Sequence, residues 1–276
     1  PEDAEARVAA AADAGFDAIK LLGVPNRPSY VNLAEAAARH GLPVVGHLPG
    51  SVTAADAVAY HQASIEHLNG VLGPWRTSPE AGRAAAAALA DPGILHVPTV
   101  TWAAIRVGAY SEEALRALDV DHTASEAQWA AWRAELPPEA PAHGTADAAI
   151  ADRLAAIRAL YEAGARLGIG PDASDAYGLP GVSVAEEMRW FGVAGLPNDA
   201  VLRAATQRPD GPATIAVGAP ADLVVVRGDP SVDLAAAADV IGVVLSGTWW
   251  TREALADPAS APAAGPVAVP SVAPGG

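Results

Sequence analysis

The nine residues Gly15-Phe16-Asp17-Ala18-Ile19-Lys20-Leu21-Leu22-Gly23 form a short apolar run directly after an alanine-rich helical segment, Glu2 to Ala14. A helix ended by glycine and followed by a short apolar run is typical of one step in an alternating strand–helix fold. Lys20 is the only lysine of the chain, since the other sixteen of its 17 basic residues are arginine. A buried amine loses its proton readily and is then nucleophilic, whereas a guanidinium stays charged. The run therefore predicts a strand, and two interpretations of its lysine stay open: a chemical role, or the simpler one of a lysine that extends to solvent from a strand end.

Four more apolar runs follow, and three of them lead into a polar residue that can bind a metal or titrate. They are Pro43 to Gly46 before His47, Ala63 to Glu66 before His67, Ile94 to Thr101, and Leu167 to Gly170 before Asp172. Helical patterns lie between these runs, so the sequence predicts an α/β fold with a parallel sheet. Five such units fit about strands 4–8 of a partial (β/α)8 TIM-type barrel, where catalytic residues sit at the carboxyl ends of the strands.

The pattern of apolar and turn residues in the sequence changes near residue 213. Ala221 to Val226 and Asp239 to Leu245 are apolar runs separated by turn residues, which predicts a small β-rich appendage. The last residues are rich in proline, alanine and glycine and have no periodicity. The predicted organisation is a partial barrel over residues 1–210, a C-terminal β-sandwich segment over 211–255, and a disordered Pro/Ala-rich tail over 256–276.

Composition limits the partners of the chain. It has 276 residues, a formal net charge of −15 and no cysteine. The acidic balance argues against nucleic acid and against an anionic membrane surface as partners. The absence of cysteine excludes disulfides, thiolate metal sites and cysteine nucleophiles, while leaving the compartment undetermined. The expected partner is a small-molecule substrate, with a homo-oligomer as an open possibility.

The ordered motifs resemble the amidohydrolase superfamily, in particular its imidazolonepropionase-like and prolidase-like branch. The strand with Lys20, the segments Val44–His47 and Ser64–His67, and the segment Gly168–Ala173 match successive family strands. The segments Pro180–Ser183 and Gly218–Val225 match later parts of these chains. The family's first strand carries a His-x-His pair that this sequence lacks, so we expect an N-terminally incomplete member that begins just before the fourth barrel strand.

The resemblance implies a site with two divalent metals, of which zinc suits the ligand types. Lys20 would be carboxylated by carbon dioxide and bridge the metals as a carbamate, which requires its amine to be neutral. His47 and His67 would bind one metal, and Asp172 would bind the other and act as the catalytic acid and base. The implied activity is metal-dependent hydrolysis of C–N bonds in cyclic amides or dipeptide-like compounds.

Two alternatives stay open from the sequence. The same metal pair can hydrolyse lactones or phosphoesters, and a chain without the His-x-His ligands can be an inactive fragment. Tyr30, His96 and Tyr177 are candidate substrate contacts. For Tyr30 the simpler interpretation is packing at the start of a helix, and for His96 it is a buried, hydrogen-bonded histidine.

Overall fold

The fold consists of short strands that alternate with longer helices, followed by a small antiparallel sheet. The computed structural model describes residues 2–120, 122–135, 145–173, 175–208 and 211–256. Its strands are β1 Ile19–Leu21, β2 Val44–Gly46, β3 Ser64–Glu66, β4 Leu95–Val97, β5 Arg166–Leu167, β6 Gln207–Arg208, β7 Gly211–Pro212, β8 Leu223–Val226, β9 Val240–Leu245 and β10 Thr248–Thr251. Its α-helices are α1 Glu2–Asp13, α2 Arg27–Arg39, α3 Ala54–Ala59, α4 Leu72–Thr77, α5 Pro79–Leu89, α6 Val100–Arg106, α7 Glu112–Leu118, α8 Glu126–Glu135, α9 Ala146–Glu162, α10 Val182–Val193, α11 Asn198–Ala205 and α12 Arg252–Ala256.

The first five strands lie side by side in chain order and run parallel. β1 pairs with β2, and β3 pairs with β4, which pairs with β5. A parallel bridge between Val44 and Gln62 and the bond from Ala63 N to Val44 O, 2.7 Å long, join β2 to the start of β3. All five carboxyl ends therefore point to the same side, which brings the residues that follow them to one edge.

Side chains of these strands alternate between two faces. In β3, Ile65 is fully buried, while Ser64 and Glu66 share the opposite face and are joined by a hydrogen bond of 2.6 Å. In β4, His96 lies on the buried face, and the neighbouring Leu95 and Val97 are only partly buried. The main core forms between the sheet and the helices, and it includes residues from α2, α5, α9 and α10. This alternation decides which predicted residues can reach the site.

Local signals place the helix boundaries. Helix α2 begins at Arg27, earlier than the predicted start at Tyr30, because Asn26 caps it by accepting a hydrogen bond from Ser29 N and because Pro28 suits a first turn. Helix α3 begins after Thr53, whose hydroxyl and the carboxylate of Asp56 form a reciprocal capping box. These caps satisfy backbone donors that would otherwise lack partners at the helix starts.

The predicted strand from Ile94 to Thr101 is wrong in its second half. Strand β4 ends at Val97, and α6 begins at Val100. Pro98 cannot donate to a sheet, and Thr99 has a left-handed backbone with φ 53° and ψ 48° that turns the chain out of the strand. The apolar run Val97 to Thr101 thus belongs to a strand end, a turn and a helix start.

The C-terminal part forms a separate antiparallel sheet in the order β10-β9-β8. Its register shifts between Val225 and Val226, which is a local irregularity of β8. The predicted tail beyond Ala256, and the residues 209–210 at the predicted domain boundary, lie outside the described residues. None of the described helices is both long enough and apolar enough to cross a membrane.

Candidate functional site

Three of the predicted site residues meet at the carboxyl ends of the strands. The rings of His47 and His67 are 4.8 Å apart between centroids and stand edge to face, at 79°. His67 Nε2 lies 3.8 Å from Asp172 Oδ2. Since these residues follow β2, β3 and β5 respectively, the parallel order of the strands is what brings them together.

His67 is the most enclosed member of this group. Its Nδ1 lies at hydrogen-bond distance, 2.7 Å, from the hydroxyl oxygen of Thr99, and its ring packs against Trp102 with centroids 5.1 Å apart. Burial lowers the pKa of His67, the neighbouring His47 and the charge of Lys20 act in the same direction, and the carboxylate of Asp172 opposes them. The ring is therefore held neutral near pH 7, which is the form that binds metals.

The backbone at the site is strained. His67, Thr99 and Asp172 all have positive φ angles, of 59°, 53° and 53°. Such conformations cost a residue with a side chain about 1–2 kcal/mol, and they concentrate at functional sites. The side chains of Thr99 and Asp172 each lie next to His67, at its Nδ1 and on the side of its Nε2 respectively.

Lys20 lies on β1 opposite Val45 of β2, two residues before His47. Its charge acts on His67, so it belongs to the same edge of the sheet. The side chain is exposed, as in the simpler interpretation of the sequence, because Lys20 alternates with the buried Leu21 and so occupies the other face of the strand.

The residue types at this edge fit a divalent metal. Two imidazoles and a carboxylate are the usual zinc donors, and neutral His67 offers its Nε2 on the side that faces Asp172. Within the described ranges, however, no group of three or more His, Asp or Glu side chains is already arranged at metal-binding distances. The donors thus converge without forming a closed ligand cluster.

The structure buries two of the predicted substrate contacts, and each forms a hydrogen bond inside the protein. The hydroxyl of Tyr30 donates to Gln62 Oε1 at 3.1 Å in the core, and burial raises its pKa to about 12. His96 is 1% exposed and its Nε2–H donates to the carbonyl oxygen of Leu89, 3.0 Å away. Tyr30 belongs to α2 and His96 to β4, and both side chains are buried.

Tyr177, the third predicted substrate contact, is also buried. Its ring packs 6.0 Å from Trp129 and 5.6 Å from Trp132, both of which lie on α8. It belongs to a second, smaller core that includes Leu115 and Leu179. The structure therefore gives Tyr177 a packing role in fixing α8 over the loop that follows Asp172.

Trp102 and Arg106, which the sequence does not single out for the site, complete its wall together with Asp175 of the loop after Asp172. Trp102 Nε1 donates to Asp175 Oδ2 at 2.8 Å, and Arg106 Nη1 lies 3.5 Å from the same oxygen. Together with Asp172 they line a shallow depression. Trp102 and Arg106 are one helical turn apart on α6, a spacing that becomes visible only once this segment is recognised as a helix.

Glu187 is a further residue to which the sequence assigns no role in the site. It is fully buried, and its two carboxylate oxygens accept from Val100 N at 2.8 Å and Thr101 N at 2.7 Å, at the start of α6. Burial raises its pKa to about 7, although these backbone bonds act in the opposite direction. A signal for it exists in the sequence, because it lies four residues from both Ser183 and Phe191 on the buried face of α10.

Comparison with known families identifies the class of the chain. The model of the amidohydrolase family matches residues 26–250, which cover the parallel strands β2–β5 and most of the antiparallel sheet, whereas β1 with Lys20 precedes the match. The chain therefore belongs to the amidohydrolase family. A comparison with curated proteins finds no match.

Solved structures similar to this chain include hydrolases of amides and dipeptides. A bottromycin amidohydrolase is 28% identical, with a TM-score of 0.68 over 94% of this chain and 62% of that protein. A Xaa-Pro dipeptidase with bound methionine in its active site is 19% identical, with a TM-score of 0.63 over 91% of this chain and 58% of that protein. A putative prolidase from Bifidobacterium longum is also 19% identical, with a TM-score of 0.59 over 95% and 64%. These likenesses indicate a TIM-barrel-like α/β fold, and the chain spans less than two thirds of each of these proteins.

Proposed function

We propose that the protein is a metal-dependent hydrolase that cleaves C–N bonds in small amides or dipeptide-like compounds. The observation that carries the proposal is the convergence of His47, His67 and Asp172 at the carboxyl ends of parallel strands. Membership of the amidohydrolase family supports the reaction class. The acidic net charge of −15 supports a small-molecule substrate over nucleic acid or an anionic membrane.

We further propose that the five parallel strands correspond to about strands 4–8 of a (β/α)8 barrel. The parallel pairing within the sheets β1–β2 and β3–β4–β5 supports this assignment, as does the position of the polar residues after the strand ends. The antiparallel sheet β8–β10 would then be part of the β-sandwich that accompanies the barrel. Residues 1–210 and 211–255 are the corresponding proposed units.

His47 and His67 would hold one zinc ion, and Asp172 would bind a second, with Lys20 as a carbamate between them. When bound, zinc polarises the scissile carbonyl and makes water more acidic. Carboxylation of Lys20 joins its neutral amine to carbon dioxide and releases one proton. The exposure of Lys20 on the face that carries the site leaves the amine accessible to carbon dioxide.

The chain's own residues supply the remaining steps. Asp172 takes a proton from the attacking water and delivers it to the leaving amine, so no net proton is consumed at the carboxylate. His67, held by Thr99 at Nδ1, keeps its Nε2 directed toward Asp172. Trp102 covers one face of His67 and keeps bulk water from that side of the ring.

Metal analysis combined with a substrate panel tests this function. The purified protein should contain zinc, about two ions per complete site, and should hydrolyse N-acyl amino acids, dipeptides or cyclic amides until a chelator removes the metal. Turnover of only lactones or phosphoesters would identify the related binuclear hydrolase instead. A folded protein that takes up no metal and hydrolyses none of these compounds would contradict the proposal and mark a non-catalytic family member.

A further inference from the structure

Helix α6 begins without a cap from its own sequence. Thr99 occupies the position before the first helical residue, where a threonine hydroxyl normally accepts a hydrogen bond from the backbone of the first turn. Here the side chain makes no such bond, and its hydroxyl oxygen lies 2.7 Å from Nδ1 of His67 instead. The first turn of α6 therefore needs another acceptor.

Glu187 supplies that acceptor from a distant part of the chain. Its carboxylate takes the hydrogen bonds of Val100 N and Thr101 N, across a separation of 87 and 86 residues in sequence. The side chain is fully buried on α10, where a carboxylate is costly to place without partners. Glu187 thus caps the start of α6 in place of Thr99, and the hydroxyl of Thr99 is available to His67.

Two of the contacts that orient His67 come from this one helix start. Thr99 holds Nδ1 of the ring, and Trp102, in the first turn of α6, packs against its face at 5.1 Å. With Nδ1–H donating to the Thr99 hydroxyl, the lone pair of Nε2 is available on the side of Asp172. A shift of the helix start would therefore move both contacts together.

We propose that Glu187 is a positioning residue of the site, which fixes the start of α6 so that Thr99 and Trp102 hold His67 in its metal-binding orientation. This inference rests on the proposed function, because it gives the orientation of His67 a purpose. It extends the site to a carboxylate that touches neither substrate nor metal. The competing role for Glu187 is a capping group that stabilises the fold and has no effect on the histidine.

Four variants separate these roles. Glu187→Gln keeps the shape of the side chain but replaces one accepting oxygen with an NH2 group. This group is a donor that faces a backbone N–H, so one of the two hydrogen bonds to the start of α6 is lost. Thr99→Val removes the hydroxyl that holds His67 while keeping a branched side chain, and the third variant combines both changes. Glu186→Gln is the matched control, because Glu186 precedes Glu187 on α10 but bonds to Tyr110 and Arg189, away from His67.

Zinc affinity, measured by competition with a chromophoric chelator well below each unfolding temperature, is the first measurement. We expect Glu187→Gln and Thr99→Val each to weaken zinc binding by about 10–100-fold. The double variant should bind zinc only slightly less tightly than the single variant with the lower affinity, because both changes act through the same contact on His67. Glu186→Gln should bind zinc as the wild type does, even if its unfolding temperature falls.

The second measurement needs no metal. In the metal-free protein, NMR cross-peaks between the His67 ring and the Thr99 methyl group should be present in the wild type and in Glu186→Gln, and lost in Glu187→Gln. Glu187→Gln with unchanged zinc affinity and an intact His67–Thr99 contact would overturn the inference, as would additive losses in the double variant. If the wild type binds no zinc, the proposed function fails, while the cross-peaks still decide whether Glu187 positions the histidine.

Discussion

His67 interacts with four side chains at the site. One ring nitrogen is held by Thr99, the other faces Asp172, and the ring lies between His47 and Trp102. A ring constrained on four sides can bind a metal in only one orientation, which lowers the entropy lost on binding.

Lys20 provides the sharpest test at the scale of single residues. Lys20→Arg preserves the charge but removes the amine that can be carboxylated, so turnover should fall to background and zinc content should drop. Stability should hardly change, because the side chain is exposed. Turnover with the substrate found in the panel and metal content of the purified variant are the measurements.

Arg83→Lys on α5 is the control for a conservative exchange of cations far from the site. It should retain both turnover and zinc. A Lys20→Arg protein with wild-type turnover would rule out the carbamate.

The residues of the site differ in how far the sequence predicts them. His47, His67 and Asp172 follow apolar runs directly, so their position at strand ends can be inferred without the structure. Thr99 and Glu187 cannot be found in this way, because their roles depend on a contact between α6 and α10 that no local pattern encodes. Tyr30 and His96 were predicted near the substrate from their closeness to strands in sequence, but the alternation of strand faces and the helix layer places them in the core.

Strand β2 imposes a strict requirement on one of its residues. Gly46 has φ 110°, and a Cβ atom there would overlap the backbone of Leu21, whose carbonyl oxygen accepts from His47 N at 2.8 Å. Gly46→Ala should therefore separate β1 from β2 and destabilise the protein by about 2–5 kcal/mol, the sum of an unfavourable backbone and a steric clash. Urea unfolding measures the change in the free energy of unfolding.

Gly41→Ala isolates the backbone part of this effect. Gly41 also has a positive φ, of 70°, but a Cβ there would meet nothing within 4 Å. Its cost should be about 1–2 kcal/mol. Equal losses for the two variants would mean that β1 and β2 adapt to the added methyl group.

Helix α10 introduces a dependence of stability on pH through Glu187. Burial raises the pKa of Glu187 from 4.5 to about 7, so the folded protein binds a proton that the unfolded chain releases between these values. The free energy of unfolding should therefore fall as pH rises from 4.5 to 7, by up to about 3 kcal/mol, and change little from this cause above pH 7. Unfolding in urea at a series of pH values, with chelator present, measures it.

The comparison that isolates this carboxylate is the difference between the wild type and Glu187→Gln. Every other titrating group contributes equally to both proteins, so only the shape of the difference curve is diagnostic. Parallel curves from pH 4.5 to 8 would mean that Glu187 keeps an ordinary pKa in the folded protein.

Among the elements, the sequence predicts most helices and strands, and its main error is instructive. The run from Ile94 to Thr101 contains β-branched residues throughout and has the composition of one strand, but it divides into β4, a turn and α6. The division depends on Pro98 and on Glu187 of α10, which caps the start of α6. Tertiary contacts here override the local preference of valine and threonine for strands.

Zinc should stabilise the whole molecule if the proposed site is formed. A ligand that binds only the folded state at a hundred times its dissociation constant adds about 2.7 kcal/mol to the free energy of unfolding. In a domain of this size each kcal/mol raises the unfolding temperature by about 2–4 °C. A thermal scan with and without zinc should therefore show a clear increase that a chelator reverses.

His67→Asn should abolish that increase. His61→Asn serves as its control, because His61 is exposed and its φ of 52° is tolerated by asparagine. An equal zinc effect in both variants would assign the stabilisation to metal bound elsewhere on the surface.

The cap of α6 also has a consequence for the order in which the molecule folds. Helices such as α2 and α3 are capped by residues next to them in sequence and can form locally. The start of α6 is capped only when Glu187, 87 positions after Val100, has reached it. Closing so long a loop is slow compared with local helix formation. During synthesis both histidines leave the ribosome well before Glu187, so they remain without their final orientation until α10 has docked. We therefore expect the site to mature among the last steps of folding, after the packing of the helices whose caps are local.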